Sequence, residues 1–451
     1  MDWKKQKNGG FIMSILLFII LILALIFILL FSKLDIMSPS SLMVFGYLIG
    51  LFCFIVSNKD WGINFGWQPF VLEAVGIFCF VFFDMFSQSI VLTSKNRDQK
   101  IETGNFHSNV IVDKKGFVVF LSICITVFQV LITFLTYKEL KDLSGSSSLS
   151  FIISSYRNNL LDSDSVLRIS SFLNLSQKLL SAFSFMFLFY FFYFRLIKKI
   201  KINFVVLLPI LFFIVQQLLM GGRLQLFRII IMALMIYYLL IRTIDFWNAE
   251  DVKKIIKIGL LVICIGIPIF YSLKFILGRS SNESIIDYVL RYLGGSTGAF
   301  AIYINNGMQK SIYHGQETFM GIFDFFGRKQ GINMLTVLPW VNSPTGSVIG
   351  NVYGANRRFI SDFGIWGLIL CNSFMGIFYG SFYGYLKRRL SYGNLSPISI
   401  TVYSYLVYAV FFQFIEGYFY FSIISVNTIT NIFLIFAVFY FTKLASLLRI
   451  R

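Results

Sequence analysis

The chain has 451 residues, 57% of them hydrophobic, and a formal net charge of +18 although only 13% of its residues are charged. That apolar excess, with a mean hydropathy of +0.77, excludes a soluble globular protein and indicates a polytopic membrane protein. The basic residues fall in short clusters between apolar runs, which argues against a nucleic-acid surface and for Lys/Arg marking of cytoplasmic loops.

The first apolar run, from Phe11 to Phe31, follows Lys4, Lys5 and Lys7. It is too long for the core of a cleaved signal and no small-x-small site follows it, so it reads as a retained first span. A span needs roughly 20 apolar residues. On that measure further spans fall at 41–57, 68–92, 116–137, 176–196, 203–220, 224–242, 255–277, 363–386, 398–415 and 418–441. The expected fold is therefore all-α, a polytopic integral membrane helical bundle of about 10–12 transmembrane helices. It reads as a single polytopic membrane domain over 1–451, with a large structured loop at 278–362. No internal repeat is apparent, which counts against inverted-repeat transporter folds.

Cys53, Cys79, Cys124, Cys264 and Cys371 all lie in apolar runs without CxxC spacing, and His107 and His314 are the only histidines. Neither disulfides nor a structural zinc site is expected.

Arg195, Lys198, Lys199 and Lys201 form one basic cluster. Arg242, Lys253, Lys254 and Lys257 form a second, Lys387, Arg388 and Arg389 a third, and Lys443, Arg449 and Arg451 a fourth. The spans put all four on one side, with Lys95, Arg97, Lys100, Lys114 and Lys115 of the 93–115 loop, and that side reads as cytoplasmic. The basic N-terminus joins them only if the first 92 residues cross an even number of times, whereas three spans are read there. A re-entrant span, a miscounted span or an exception to the rule would each reconcile the two.

The opposite face then carries 138–175 and the long 278–362 segment, and long loops in compact proteins are commonly functional. Gly298–Ile304 and Phe319–Phe323 are expected there as amphipathic or half-inserted helices on the outer leaflet. Gly221-Gly222-Arg223 opens the span at 224–242, with Arg228 roughly 7.5 Å deeper. Arg357 and Arg358 enter the span at 363–386 and, as neighbours, point to different sides. Two outer-face arginine sites suit an anion, because guanidinium offers fixed bidentate donors to phosphate; snorkelling or interfacial anchoring is the structural alternative. The long segment adds Arg279, Arg291, Lys310, Arg328 and Lys329.

Glu317, Asp324 and Asp362 are the candidate general bases, each also suited to a structural pair or cap; Asp362 stands where a helix N-cap would. Glu73, Asp84 and Glu416 lie within spans, where an acid is functional or is satisfied by pairing with Arg228 or by protonation; proton coupling in a transporter is the rival use, and Glu416, near the outer end of its span, also suits an interfacial position. Asp162-Ser163-Asp164 mimics a metal-holding D-x-D pair, a pattern frequent by chance in polar loops. Neither a Walker A motif nor a Ser-His-Asp pattern is present.

Three segments, in order, give the chain a resemblance to the Wzy-type oligosaccharide repeat-unit polymerases, the O-antigen and capsular polysaccharide polymerases of bacteria. They are Gly221-Gly222-Arg223, Gly315-Gln316-Glu317-Thr318-Phe319, and Asn351-Val352-Tyr353 followed by Arg357, Phe359, Asp362-Phe363-Gly364 and Gly367. The chain departs from the family pattern at Gly354, Asn356 and Arg358, where a small hydroxyl residue, an aromatic and a non-basic residue are expected. The resemblance implies a glycosyltransferase of the bacterial cytoplasmic membrane, working at its outer face without a metal or other cofactor. A glycan held on polyprenyl pyrophosphate would pass to a sugar hydroxyl of another lipid-linked unit. Arg223 and Arg357 would bind pyrophosphate, with Arg228 and Arg358 as second contacts and Asn351 in the same motif. Asp362 or Glu317 would serve as the catalytic base, and Tyr353, Trp340 and Tyr313 would stack on sugars. Its partners would be polyprenyl-pyrophosphate-linked oligosaccharides, membrane lipids and a chain-length regulator protein, with no nucleic acid. The alternatives are a lipid-linked oligosaccharide flippase or other transporter, an O-antigen ligase-like transferase, and a membrane scaffold without chemistry.

Overall fold

A computed structural model describes residues 3–93, 111–161, 169–244, 249–276, 283–327 and 338–448. In chain order the helices are α1 (Trp3–Phe31), α2 (Pro39–Trp61), α3 (Trp67–Thr93), α4 (Lys115–Ser144), α5 (Leu149–Leu161), α6 (Ser171–Phe192), α7 (Leu208–Leu219), α8 (Leu224–Ile244) and α9 (Ala249–Ile276). Then come α10 (Ile285–Asn305), α11 (Met320–Gly327), a two-stranded antiparallel ribbon of β1 (Val341–Asn342) and β2 (Val348–Gly350), α12 (Ala355–Ser391), α13 (Pro397–Leu406), α14 (Tyr408–Phe411) and α15 (Val426–Leu448). Among the described residues, ten helical segments are long and apolar enough to cross a bilayer. The chain is an all-α, multi-pass membrane helical bundle.

Two expected spans come out differently. The run at 203–220 is a 3-10 turn, Phe204–Leu207, leading into the 12-residue α7, with Pro209 in its first turn. Together they are shorter than a full span. The last span begins at Val426 rather than 418, because Phe419–Ile423 forms one π turn. That turn follows Glu416, which faces inward to an arginine.

The chain divides into two compact units. Unit 1 comprises Met1–Lys95, Asn282–Tyr385 and Ala409–Val426; unit 2 comprises Asn96–Ser281, Leu386–Tyr408 and Asn427–Arg451.

In unit 1, α2 starts where Ser38 caps the Ser41 amide and Pro39 occupies the first turn, and it stops at Gly62 in the left-handed region. α10 is capped by Ser284 on the Asp287 amide at 3.1 Å, with Asp287 in its first turn. Residues Gly294–Ala301 of α10 are buried, and α10 packs along α2. A side-chain carbon at Gly294 would stand 2.5 Å from the Phe54 backbone nitrogen, so only glycine allows this approach. The segment expected to lie on the outer leaflet is thus a helix buried against α2.

α12 is not one straight helix. Asn372 donates to Asn356 at 3.0 Å, although the two are 16 residues apart, a separation of about 24 Å along a straight helix. The reversal is at Gly364, with φ 66° and ψ −153°, a conformation essentially restricted to glycine. Ala355–Phe363 is therefore a short arm folded back on the long arm that follows Gly364. The span expected from 363 begins only after this break.

In unit 2, α4, α6 and α7 pack together and α8 packs on α13. Lys198 pairs with Asp113 at 2.9 Å and Lys443 donates to the Ile111 carbonyl at 2.9 Å. Three basic stretches that the sequence placed on one side therefore meet at one end of this unit.

Candidate functional site

The short arm of α12 carries Arg357 and Arg358 into the interior of unit 1, where they are only 6% and 4% exposed. Each takes its own carboxylate. Arg357 Nη1 donates to Glu317 Oε2, while Arg358 Nε donates to Glu416 Oε1 at 2.7 Å. Adjacent residues point to different sides, as expected, but both sides are lined by acids. Arg358 also donates from Nη1 to the Glu317 carbonyl at 3.0 Å and lies 5.0 Å from the Phe421 ring. Glu416 accepts a further bond from the Gly417 amide at 3.1 Å. It is buried and paired rather than interfacial.

Arg357 is held differently. Its guanidinium carbon stands 5.0 Å from the ring centres of both Tyr303 and Tyr353. Its Nε is buried without a hydrogen-bond partner. The two rings meet edge-on, with centres 6.5 Å apart. Their hydroxyls are engaged elsewhere: Tyr353 donates to the Pro339 carbonyl and Tyr303 to the Gln309 carbonyl, both at 2.8 Å. The tyrosines thus offer Arg357 their faces, a cation–π cage. Burial pushes the Glu317 carboxyl above its ordinary value, and Arg357 and Arg358 pull it partly back. Burial likewise pushes the Tyr303 phenol up to about 12, with Arg357 opposing.

Asp362 sits one turn below Arg358. Its carboxylate accepts from the Thr318 amide at 2.6 Å and the Glu317 amide at 3.3 Å. It therefore caps the Gly315–Phe319 loop rather than its own helix. The Asp362 carbonyl accepts from His314 Nδ1 at 2.9 Å, and Thr318 Oγ1 donates to the Arg358 carbonyl at 3.3 Å. These bonds staple the loop onto the short arm and set Glu317 against Arg357.

A chain of buried amides ending on Glu73 braces the same arm. Asn356 donates to Glu73 at 2.8 Å, Asn372 to Asn356 at 3.0 Å, and Gln413 to Asn372 at 2.6 Å. Asp84, farther along α3, accepts from Ser40 and Gln88.

The structure brings Glu317, Asp362, Arg357, Arg358 and Tyr353 together in unit 1, with Asn351 half-buried just after β2. Tyr353 is buried beneath Arg357, whereas Trp340 and Tyr313 present 64% and 48% of their surface. Arg223 and Arg228 belong to unit 2. Arg223 packs on the Phe270 ring at 5.2 Å, and Arg228 lies over Tyr405 and Tyr408 rather than against an acid. Asp162-Ser163-Asp164, His107, Arg279, Arg328, Lys329 and the side chain of Asp324 lie outside the described residues.

Sequence reasoning missed Tyr303 and the amide chain and undervalued Glu416. Asn372 and Gln413 were visible as amides inside apolar runs, a signal of interior pairing. Tyr303 left none, being one aromatic among many. No family model, curated protein or solved structure matches the chain.

Proposed function

We propose that the chain is a glycosyltransferase that polymerises lipid-linked oligosaccharide repeat units at the outer face of the bacterial cytoplasmic membrane. The observation that carries this reading is the Arg357–Glu317 pair in its tyrosine cage, set on the segment that resembles the main motif of Wzy-type polymerases. Transfer needs a fixed cation where pyrophosphate leaves and a base where the acceptor hydroxyl loses its proton. The anomeric carbon–oxygen bond breaks with its electron pair passing to pyrophosphate. The acceptor oxygen bonds to the anomeric carbon, and its proton passes to Glu317. Pyrophosphate drawing Arg357 toward itself removes a charge that opposes protonation of Glu317, and so strengthens the base as the lipid-linked donor binds. Arg358, already neutralised by Glu416, holds the arm, and Asp362 holds the loop. Arg223 and Arg228, assigned to pyrophosphate by resemblance, are in the other unit, and this chemistry does not depend on them.

The breaks at Gly364 and at 412–425 favour a second reading, a transporter of lipid-linked oligosaccharides, because transporter sites are often built on broken helices. One reconstitution separates the two. Purified protein in liposomes with the native polyprenyl-pyrophosphate repeat unit should give a glycan ladder that Arg357→Gln, shown to be folded, abolishes. Labelled lipid crossing the bilayer with no ladder would transfer the assignment to the transporter.

A further inference from the structure

Arg228, in the second turn of α8, is 5% exposed. Its Nε donates to the Tyr405 carbonyl at 3.2 Å. Its guanidinium carbon lies 3.5 Å from the centre of the Tyr405 ring and 4.3 Å from that of Tyr408. Nη2 is buried and has no hydrogen-bond partner. Among the described residues, no ion pair includes Arg228. Arg357 and Arg358 are equally buried, yet each has a carboxylate.

A buried cation without a counter-charge is costly, and two aromatic faces and one carbonyl oxygen offset only part of that cost. α13, which packs on α8, carries further donors. Thr401 Oγ1 and Ser404 Oγ on α13 are fully buried without partners. Thr401 lies one turn before Tyr405 and so shares its face. One guanidinium edge beside neutral hydroxyls balances a single negative charge. Arg223, the nearest arginine in sequence, packs separately on Phe270.

We propose that unit 2 contains an anion site at Arg228 that takes a small, singly charged inorganic anion such as chloride. Arg228 Nη2 and the Thr401 and Ser404 hydroxyls donate to it, and Tyr405 and Tyr408 wall it in. The site lies within one unit and is independent of the transfer chemistry proposed above.

The test uses the full chain in detergent, exchanged into gluconate at constant ionic strength and titrated with chloride, bromide or inorganic pyrophosphate while the unfolding temperature is read. Chloride and bromide should each raise it saturably. Arg228→Gln should weaken the apparent chloride affinity about tenfold or more, as expected for losing a charged hydrogen bond, and Thr401→Val should weaken it less. Should Arg228→Gln not fold, chlorine-35 line broadening on the wild type, reversed by bromide and reduced in Thr401→Val, supports the site directly. An unfolding temperature indifferent to chloride, or an undiminished response in folded Arg228→Gln, overturns the proposal. Stabilisation by pyrophosphate but not by chloride overturns it too and gives Arg228 to a phosphate ligand.

Discussion

Glu317→Gln and Glu416→Gln make one chemical change in two buried pairs, whose carboxylate side chains are 9% and 7% exposed. Cutting away one partner of such a pair costs about 3–5 kcal/mol, and the amide recovers a neutral bond worth about 0.5–1.5 kcal/mol. Each variant should therefore lose about 2–4 kcal/mol of stability. The losses should be similar because each arginine keeps other contacts. Arg357 retains two ring faces at 5.0 Å, and Arg358 retains one ring and the Glu317 carbonyl at 3.0 Å. Turnover should separate them. A base that takes the acceptor proton contributes about 10²–10⁴-fold, so Glu317→Gln should lose that much while Glu416→Gln stays within about tenfold of wild type. The assay is single-turnover glycan extension in liposomes, with chemical denaturation of both variants as the stability control. If Glu317→Gln retains turnover near wild type, or if both variants lose it equally, the assignment of Glu317 as base is refuted.

Other expectations follow from the same geometry. Folded Glu317 binds its proton more tightly than unfolded Glu317, so the pH-dependent part of its contribution to stability is full below the ordinary carboxylate value and is lost as pH rises through the raised one; wild type should lose stability over that window relative to Glu317→Gln in pH-dependent unfolding. Gly364→Ala should cost about 1–3 kcal/mol from backbone strain, since no atom lies within 4 Å of the added carbon; Asn, which relieves left-handed helical positions, should rescue nothing at this ψ, and equal stability of Gly and Asn variants would contradict the break. Gly294→Ala should separate α10 from α2 and cost about 1–3 kcal/mol, read as loss of protease protection in α10. Asp362→Asn should loosen the Gly315–Phe319 loop, raising KM more than it lowers kcat; a larger fall in kcat than Glu317→Gln shows would make Asp362 the base.

The spans were legible because a bilayer demands long apolar runs, and nine of the eleven expected runs meet long apolar helices close to where they were drawn. α10 was not legible as a packed helix, because its close approach at Gly294 is to the backbone of Phe54, far away in sequence. The arginines were legible as charges beside a membrane, and the loop carrying Glu317 as a neighbour in the motif. Their partners were not. Glu416 lies 58 residues from Arg358, and no local pattern encodes that distance. The hairpin was hidden because Gly364 stands at the start of an apolar run, between Phe363 and Ile365, where one glycine does not distinguish a helix from a reversal.

The broken helix and the arginine chemistry are one design. An arm running from Ala355 to Phe363 is too short to be stable by itself, and four of the ties that hold it matter here. Asn356 binds it to Glu73 and to the long arm, Asp362 to the loop, Arg358 to Glu416, and Arg357 to Glu317. Three of these connect groups whose loss would move backbone. The fourth joins two side chains whose backbones are fixed by the others: Arg357 by its neighbours Asn356 and Arg358, and Glu317 by Asp362 and by Arg358 on its carbonyl. Under the transfer chemistry proposed above, Arg357 exchanges Glu317 for an anionic ligand while the arm stays in place. With a single Arg–Glu pair for both purposes, the arm would lose its tie whenever an anion took the arginine. Arg358, with Glu416 as its own partner, supplies the second pair that keeps the two tasks apart.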